Sequence, residues 1–285
     1  KGEKNVQLVQ QVIDKDEQWR QLVHQVDTLR AQSNKAAKQI GALMASGKKE
    51  EAQAIIQETS KSKDEVKELE DQLNVIAEER TSLLLRIPNV AHPSVPIGHS
   101  EEDNQVYGTW GSPDTQSWLK PHWDILERHG WLDFERGVKV TGAGFPFYLG
   151  PLAQLQRALI YFFIDEANKA GYIEMQAPYF INEDSARGTG QIPDKEDMMY
   201  EIPRDAFFAI PTAEVPVTNF HRDEILSEEQ LPIRYVCHTP CWRREAGSYG
   251  KDVRGLNRLH QFDKVELVHF VKPEESYATL ELLRV

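Results

Sequence analysis

Residues 233–270 read IRYVCHTPCWRREAGSYGKDVRGLNRLHQFDKVELVHF. Two alternating runs, rich in β-branched and aromatic residues, flank a stretch punctuated by Gly247, Gly250 and Gly255. That pattern predicts a long antiparallel hairpin. Its inner positions carry Arg243, Glu245, Arg258, His260 and Glu266. Unpaired charge is expensive to bury. A sheet face holding this many ionisable groups therefore points to a charged ligand rather than to a core.

The 285 residues suffice for one large domain and an appendage, with 40% hydrophobic residues to build a core. A net charge of −12 argues against a generic nucleic-acid coat, although a local basic patch remains compatible with nucleic acid. No apolar run reaches transmembrane length, and the opening KGEKNVQLVQ holds no apolar signal core. Cys237 and Cys241, with His238 between them, lack the further ligands of a zinc site. Alternation puts both on one strand face as reduced packing residues, in keeping with a cytoplasmic location. No metal site is expected.

Upstream, residues 5–86 lack proline, and apolar residues recur by threes and fours. One series runs Val12, Trp19, Leu22, Val26, Leu29, Ala36, Ile40 and Leu43. The other runs Ile55, Val66, Leu69, Leu73, Ile76 and Leu83. Both are coiled-coil seams, and the helix-ending glycine of Ala45-Ser46-Gly47-Lys48 folds one back on the other. Residues 1–86 thus form a helical-hairpin arm about 60 Å long at 1.5 Å per residue. Lys15, Ser33, Thr59, Ser62 and Arg80 interrupt the seams, so the arm is expected to be moderately stable alone. From Thr28 to Lys49 the bases Arg30, Lys35, Lys38, Lys48 and Lys49 occur without an acid. This is either a solvated charge run or a phosphate-binding tip on an otherwise acidic molecule.

Residues 87–121 are a proline- and glycine-rich linker, and 122–285 form the globular domain. There, Pro151 opens an amphipathic helix with Leu152, Leu155, Leu159 and Phe162 on one face, ended by Gly171. YIEMQAPYFI (172–181) reads as a strand demoted to an edge by Pro178. Residues 182–204 read as a loop, AFFAIP as a strand delivering PTAEVPVTN, and a short acidic helix precedes the hairpin. TGAGF is neither a P-loop nor a dinucleotide fingerprint, and the hairpin makes the sheet antiparallel, unlike either parallel nucleotide-binding fold.

These residues resemble the seryl-tRNA synthetases of bacterial type, a family of class II aminoacyl-tRNA synthetases. The resemblance covers the arm, IPNVAHPSVPIGHSEEDN (87–104), GFPFYLGPLAQLQRAL (144–159), PTAEVPVTN (211–219) and CWRREAGSYGKDVRGLNRLHQFDKVEL (241–267). It implies an α+β fold: an antiparallel two-helix coiled-coil arm followed by an antiparallel-sheet catalytic domain. It also implies that the basic tip, Arg30, Lys35, Lys38, Lys48 and Lys49, meets the variable arm of tRNA(Ser). Residues 151–178 correspond to motif 1, which implies a homodimer interface. The hairpin is motif 2, which implies that Arg243 is catalytic, contacting the ATP α-phosphate. Arg244, Glu245, Leu259, His260, Gln261 and Phe262 complete the ATP site by the same resemblance. Serine falls to Thr212, Ala213, Glu214, Arg243 and Glu266. Trp242 stands where the family usually has Phe. No counterpart of the glycine-rich third motif occurs before Val285, so the chain as it stands is expected to lack part of the sheet and of the ATP site.

The implied reaction is ATP-dependent activation of L-serine to seryl-adenylate, with Mg²⁺ accompanying ATP, and transfer to tRNA(Ser). The residues suit it. A carboxylate nucleophile is ionised at neutral pH and needs no base, so positioning and charge cancellation suffice. An arginine fork supplies the cation, unless Arg243 only pairs with Glu245. Carboxylates bind an ammonium and accept from a hydroxyl, unless Glu214 and Glu266 are solvated strand acids. His260 reads as a packing or hydrogen-bonding residue. Arg258, Arg244, Lys251 and Arg254 either guide the tRNA acceptor end or balance acids. Rival readings are an inactive synthetase-like paralogue binding tRNA or a carrier, and a coiled-coil interaction protein.

Overall fold

The computed structural model describes residues 2–114, 116–194, 197–245 and 255–284. It divides into two compact units, Lys1–Gly111 and Ser112–Val285.

The first unit is built on α1 (Gly2–Ala45) and α2 (Lys49–Leu84). Gly47, at φ 80°, reverses the chain. The Lys48 amide donates to the Leu43 carbonyl and the Gly47 amide to the Met44 carbonyl, the paired bonds of a Schellman cap. The heptad positions line the seam as their spacing requires, with Val26 and Ala52 buried. The charged interruptions are paired across it: Lys15 with Glu79 at 2.5 Å and Arg80 with Asp16 at 2.8 Å. Arg80 also lies over the Trp19 ring at 4.3 Å. Partly exposed pairs of this kind contribute about 0–1 kcal/mol each, so the apolar seam carries most of the cohesion. Beyond α2 the chain is irregular apart from one 3₁₀ turn, Glu101–Asp103, closed by a Ser100/Asp103 capping box.

In the second unit, α3 (His122–Arg128), β1 (Leu132–Asp133), α4 (Phe134–Val140) and β2 (Phe147–Tyr148) lead to α5 (Pro151–Lys169). Then follow β3 (Ile173–Met175), β4 (Phe180–Ile181), α6 (Glu183–Gly188), β5 (Glu201–Ile202), β6 (Phe207–Ala209), α7 (Glu214–Asn219), β7 (Ile233–Trp242), β8 (Gln261–Phe270) and α8 (Ser276–Arg284). The central sheet has the order β3-β7-β8, and a smaller sheet the order β4-β6-β5. The hairpin forms an unbroken antiparallel ladder from Ile233↔Phe270 to Trp242↔Gln261.

Five details differ from the sequence reading. First, β3 runs parallel to β7, so the central sheet is mixed, with its antiparallel part in the hairpin. Second, the 172–181 run breaks around Pro178 into two strands in different sheets, because proline cannot continue a ladder. Third, part of the 182–204 loop is α6, whose first turn is capped by the Asn182 side chain accepting from the Ser185 amide at 2.9 Å. Fourth, the acidic segment before the hairpin makes only a 3₁₀ turn, Glu228–Gln230, while PTAEVPVTN supplies α7. Fifth, the stripe of Leu155, Leu159 and Phe162 on α5 is exposed, joined by Phe163, whereas Ile164 and Ala167 on another row are buried.

Two cores hold the sheets. Ala177, Ala213, Val217, Tyr235 and Cys237 form one, and Ile181, Ala186, Met199, Ile210 and Val215 the other. Ile210, Val215, Val217 and Val236 are fully buried, each stabilising by about 1.5–3 kcal/mol. The other face of the hairpin meets α5, with Gln156 donating to Asp263 and the His269 and Tyr172 side chains 2.7 Å apart.

Candidate active site

Strand alternation places Cys237, Thr239 and Cys241 of β7 on the same face as Phe262, Lys264 and Glu266 of β8. The segment that follows β6 closes against this face. The Trp242 amide donates to the Ile210 carbonyl at 2.9 Å, and the Arg244 amide to the Met198 carbonyl at 2.9 Å. These bonds lock the end of β7 to its neighbours, so the side chains next to them are held on rigid backbone.

Thr212 lies at the centre and is buried. Its hydroxyl donates to Glu266 Oε2 at 3.1 Å and accepts from the Glu214 amide at 3.1 Å. One residue earlier, the Pro211 carbonyl accepts from Arg243 Nε at 3.2 Å. The guanidinium stands 5.3 Å from the Phe262 ring centroid, a cation–π arrangement. Arg243, Thr212 and Glu266 are thus linked through one short backbone segment. The surroundings of Cys241 agree: burial pushes its thiol up, while Lys264 and Arg243 pull it down and Glu266 raises it. Cys237 is likewise raised, chiefly by burial, and both cysteines are buried and unbridged.

The alternative pairing of Arg243 with Glu245 is not formed among the described residues. Glu245 contacts Arg258 at 3.2 Å, and among the described residues Arg243 has no carboxylate partner. A half-buried guanidinium without a counter-ion is a natural place for an anionic group. Glu245 sits in left-handed backbone at φ 50°. Arg243, Glu245, Arg258 and His260 all lie beyond the ladder, which ends at Trp242 and Gln261, although the Arg243 amide still donates to the His260 carbonyl at 3.0 Å.

Other expected residues take different positions. The Ala213 methyl belongs to the core, leaving only its backbone to face a ligand. Glu214 starts α7, and its side chain is exposed. Leu259 is buried as a packing residue. Gln261 alternates with Phe262 to the opposite face and accepts from Trp242 Nε1 at 3.3 Å. Arg244 is exposed, 3.2 Å from Asp197 and over the Tyr200 ring. His260 is a structural hub: its Nδ1 lies 2.6 Å from the Tyr200 hydroxyl, its amide donates to the Gly144 carbonyl at 2.9 Å, and its ring packs on Phe145. Gly247, Gly250, Lys251 and Arg254 lie outside the described residues. In the arm, Arg30 is held by Glu70 at 2.7 Å and Lys48 by Glu51 at 3.0 Å. Lys35, Lys38 and Lys49 form no ion pair among the described side chains, and all three are exposed.

Sequence reasoning missed Gly144, Tyr200 and Lys264. Only Lys264 carried a local signal, its i,i+2 spacing from Glu266; the other two arrive from distant segments. Gly144 has φ 82°, and a Cβ there would lie 2.2 Å from His260 Cδ2. Gly130, at φ 66°, has open space around the same position. Gly144→Ala is therefore expected to destabilise by about 1–3 kcal/mol more than Gly130→Ala, since both bear the backbone strain but only one the overlap. Thermal unfolding of the two variants measures the difference, and equal losses would show that His260 yields.

An antiparallel ribbon presents an arginine with no carboxylate partner among the described residues beside a threonine–carboxylate pair, the arrangement expected of a class II aminoacyl-tRNA synthetase. The model of the tRNA synthetase class II core domain (G, H, P, S and T) matches residues 199–283. That of the seryl-tRNA synthetase N-terminal domain matches residues 1–91. The seryl-tRNA synthetase of Pyrococcus horikoshii, solved with ATP, superposes with a TM-score of 0.83 at 32% identity, over 98% of this chain and 67% of that one. The cytoplasmic serine–tRNA ligase of Naegleria fowleri, solved with AMP, gives 0.77 at 25% identity, over 98% and 68%. The serine–tRNA ligase of Salinibacter ruber is 58% identical over 233 residues, and that of a Geobacillus species 54% over 231. These cover 81% and 80% of this chain and 54% of each relative, so the chain spans about half the length of the curated relatives it matches. The chain belongs to the seryl-tRNA synthetase family.

Proposed function

We propose that the protein activates L-serine with ATP and passes the seryl group to tRNA(Ser). The observation that carries this reading is the Arg243 guanidinium, free of any carboxylate among the described residues and tied through Pro211–Thr212 to Glu266. In the first step the serine carboxylate oxygen bonds to the ATP α-phosphorus as the bond to pyrophosphate breaks. Arg243 offsets the charge that builds on the phosphoryl oxygens. Glu266 and Thr212 hold the amino-acid end, where the ammonium and hydroxyl need acceptors. Glu214, at the start of α7, adds negative charge nearby. Phe262 offers an aromatic face to the nucleotide. Mg²⁺ would enter with ATP, neutralising phosphate charge.

Residues 1–86 serve as the tRNA arm, with Lys35, Lys38 and Lys49 as its open cations, 87–121 as linker and 122–285 as the catalytic part. The exposed stripe of Leu155, Leu159, Phe162 and Phe163 supports a homodimer. No described helix is long and apolar enough to cross a membrane, and a cytoplasmic site of action accords with the reaction.

The test is serine-dependent exchange of pyrophosphate into ATP by the full-length protein. Exchange with serine, and far less with alanine, is the expected outcome. Binding of tRNA without exchange would instead identify an inactive paralogue.

A further inference from the structure

Lys264 has no part in the reaction as described, yet it is the only charged side chain in contact with the Glu266 carboxylate among the described residues. The two lie two apart on β8, hence on one face. Opposite them on β7 stand Thr239 and Cys237, both buried and neither able to supply a counter-charge. The ammonium of Lys264 contacts Glu266 Oε2, the same oxygen that accepts from the Thr212 hydroxyl. Both donors therefore converge on one oxygen, and among the described residues Oε1 has no protein donor. Lys264 and Glu266 keep 31% and 25% of their side-chain surface exposed, so the pair is open to solvent and not sealed in the core.

We infer that Lys264 is a positioning residue for amino-acid selection: with Thr212 it pins one oxygen of Glu266 and presents the other to the hydroxyl or ammonium of the substrate. A glutamate has several rotatable bonds, and fixing them before the substrate arrives removes an entropic cost of binding. The inference rests on the serine-activating reading above. An ordinary exposed ion pair would contribute little and would leave substrate preference untouched.

The experiment uses Lys264→Met, Lys264→Arg and the parent as full-length proteins, with pyrophosphate exchange measured against serine, alanine and ATP. Lys264→Met is expected to raise the KM for serine about tenfold, the scale of one charge-assisted hydrogen bond. Its serine-over-alanine preference should fall by a similar factor, because the site no longer holds its hydroxyl acceptor in place. The KM for ATP should stay near the parent value, and Lys264→Arg should recover most of the loss. The inference is overturned if Lys264→Met leaves the serine KM and the preference unchanged. It is also overturned if the KM values for serine and ATP rise together, or if the arginine variant behaves like the methionine one. A parent protein without serine-dependent exchange would overturn the activation reading, and this one with it; an active parent with an indifferent Lys264→Met overturns this one alone.

Discussion

Arg243→Ala is expected to lower serine-dependent pyrophosphate exchange by about a thousandfold, at the upper end of what a single transition-state donor supplies. The case is electrostatic. Adenylation gathers negative charge on the α-phosphoryl oxygens, and Arg243 is a half-buried cation with no carboxylate competing for it among the described residues. Its Nε is already committed to the Pro211 carbonyl, which fixes the plane of the fork and leaves both terminal nitrogens for the phosphate. Lysine at this position keeps the charge and loses the fork, so Arg243→Lys should recover only a small part of the rate. The fold should survive either change. Among the described residues no carboxylate is stranded, and the protein gives up one carbonyl hydrogen bond and the packing on Phe262, a loss of roughly 1–2 kcal/mol. Thermal unfolding of the variants separates this outcome from simple collapse. Exchange equal to the parent's would remove Arg243 from the reaction.

The hairpin and the arm were legible because each rests on a period: two along the strands, three to four along the helices. What a period cannot give is the partner. Leu155, Leu159 and Phe162 are visibly an apolar row, but nothing local says that Ile164 and Ala167 win the sheet while that row stays open. Nor does the sequence near 173–175 show whether a three-residue strand joins β7 in parallel or antiparallel; the crossover through the smaller sheet decides it. The chemistry followed the same division. Thr212 and Glu266 were found as separate motifs, and the structure joins them by a hydrogen bond. The Arg243–Glu245 alternative failed because alternation presumes extended backbone, and Glu245 has left it at φ 50°. Along the arm, reading one helix at a time made the stretch from Thr28 to Lys49 look free of acids. The returning helix brings Glu70 to Arg30, and Glu51 lies beside Lys48.

That last correction sharpens the second large prediction. Deleting residues 5–86 is expected to leave adenylate formation within a few-fold of the parent and to lower tRNA charging by about a hundredfold or more, since phosphate contacts dominate nucleic-acid affinity. The catalytic unit has its own two cores, neither of which includes an arm residue, so it should fold without the arm. The finer experiment replaces only the open cations Lys35, Lys38 and Lys49 by alanine. Charging should then weaken through the KM for tRNA, and its dependence on salt should flatten by about one unit of slope for each phosphate no longer neutralised. Replacing Arg30 instead should cost less affinity, because its guanidinium is already spent on Glu70, while loosening the arm by no more than about 1 kcal/mol. A coiled-coil interaction protein predicts the reverse pattern for the deletion: every activity lost, exchange included. If the three lysine replacements leave both charging and its salt dependence unchanged, the basic tip of the arm is only a solvated surface.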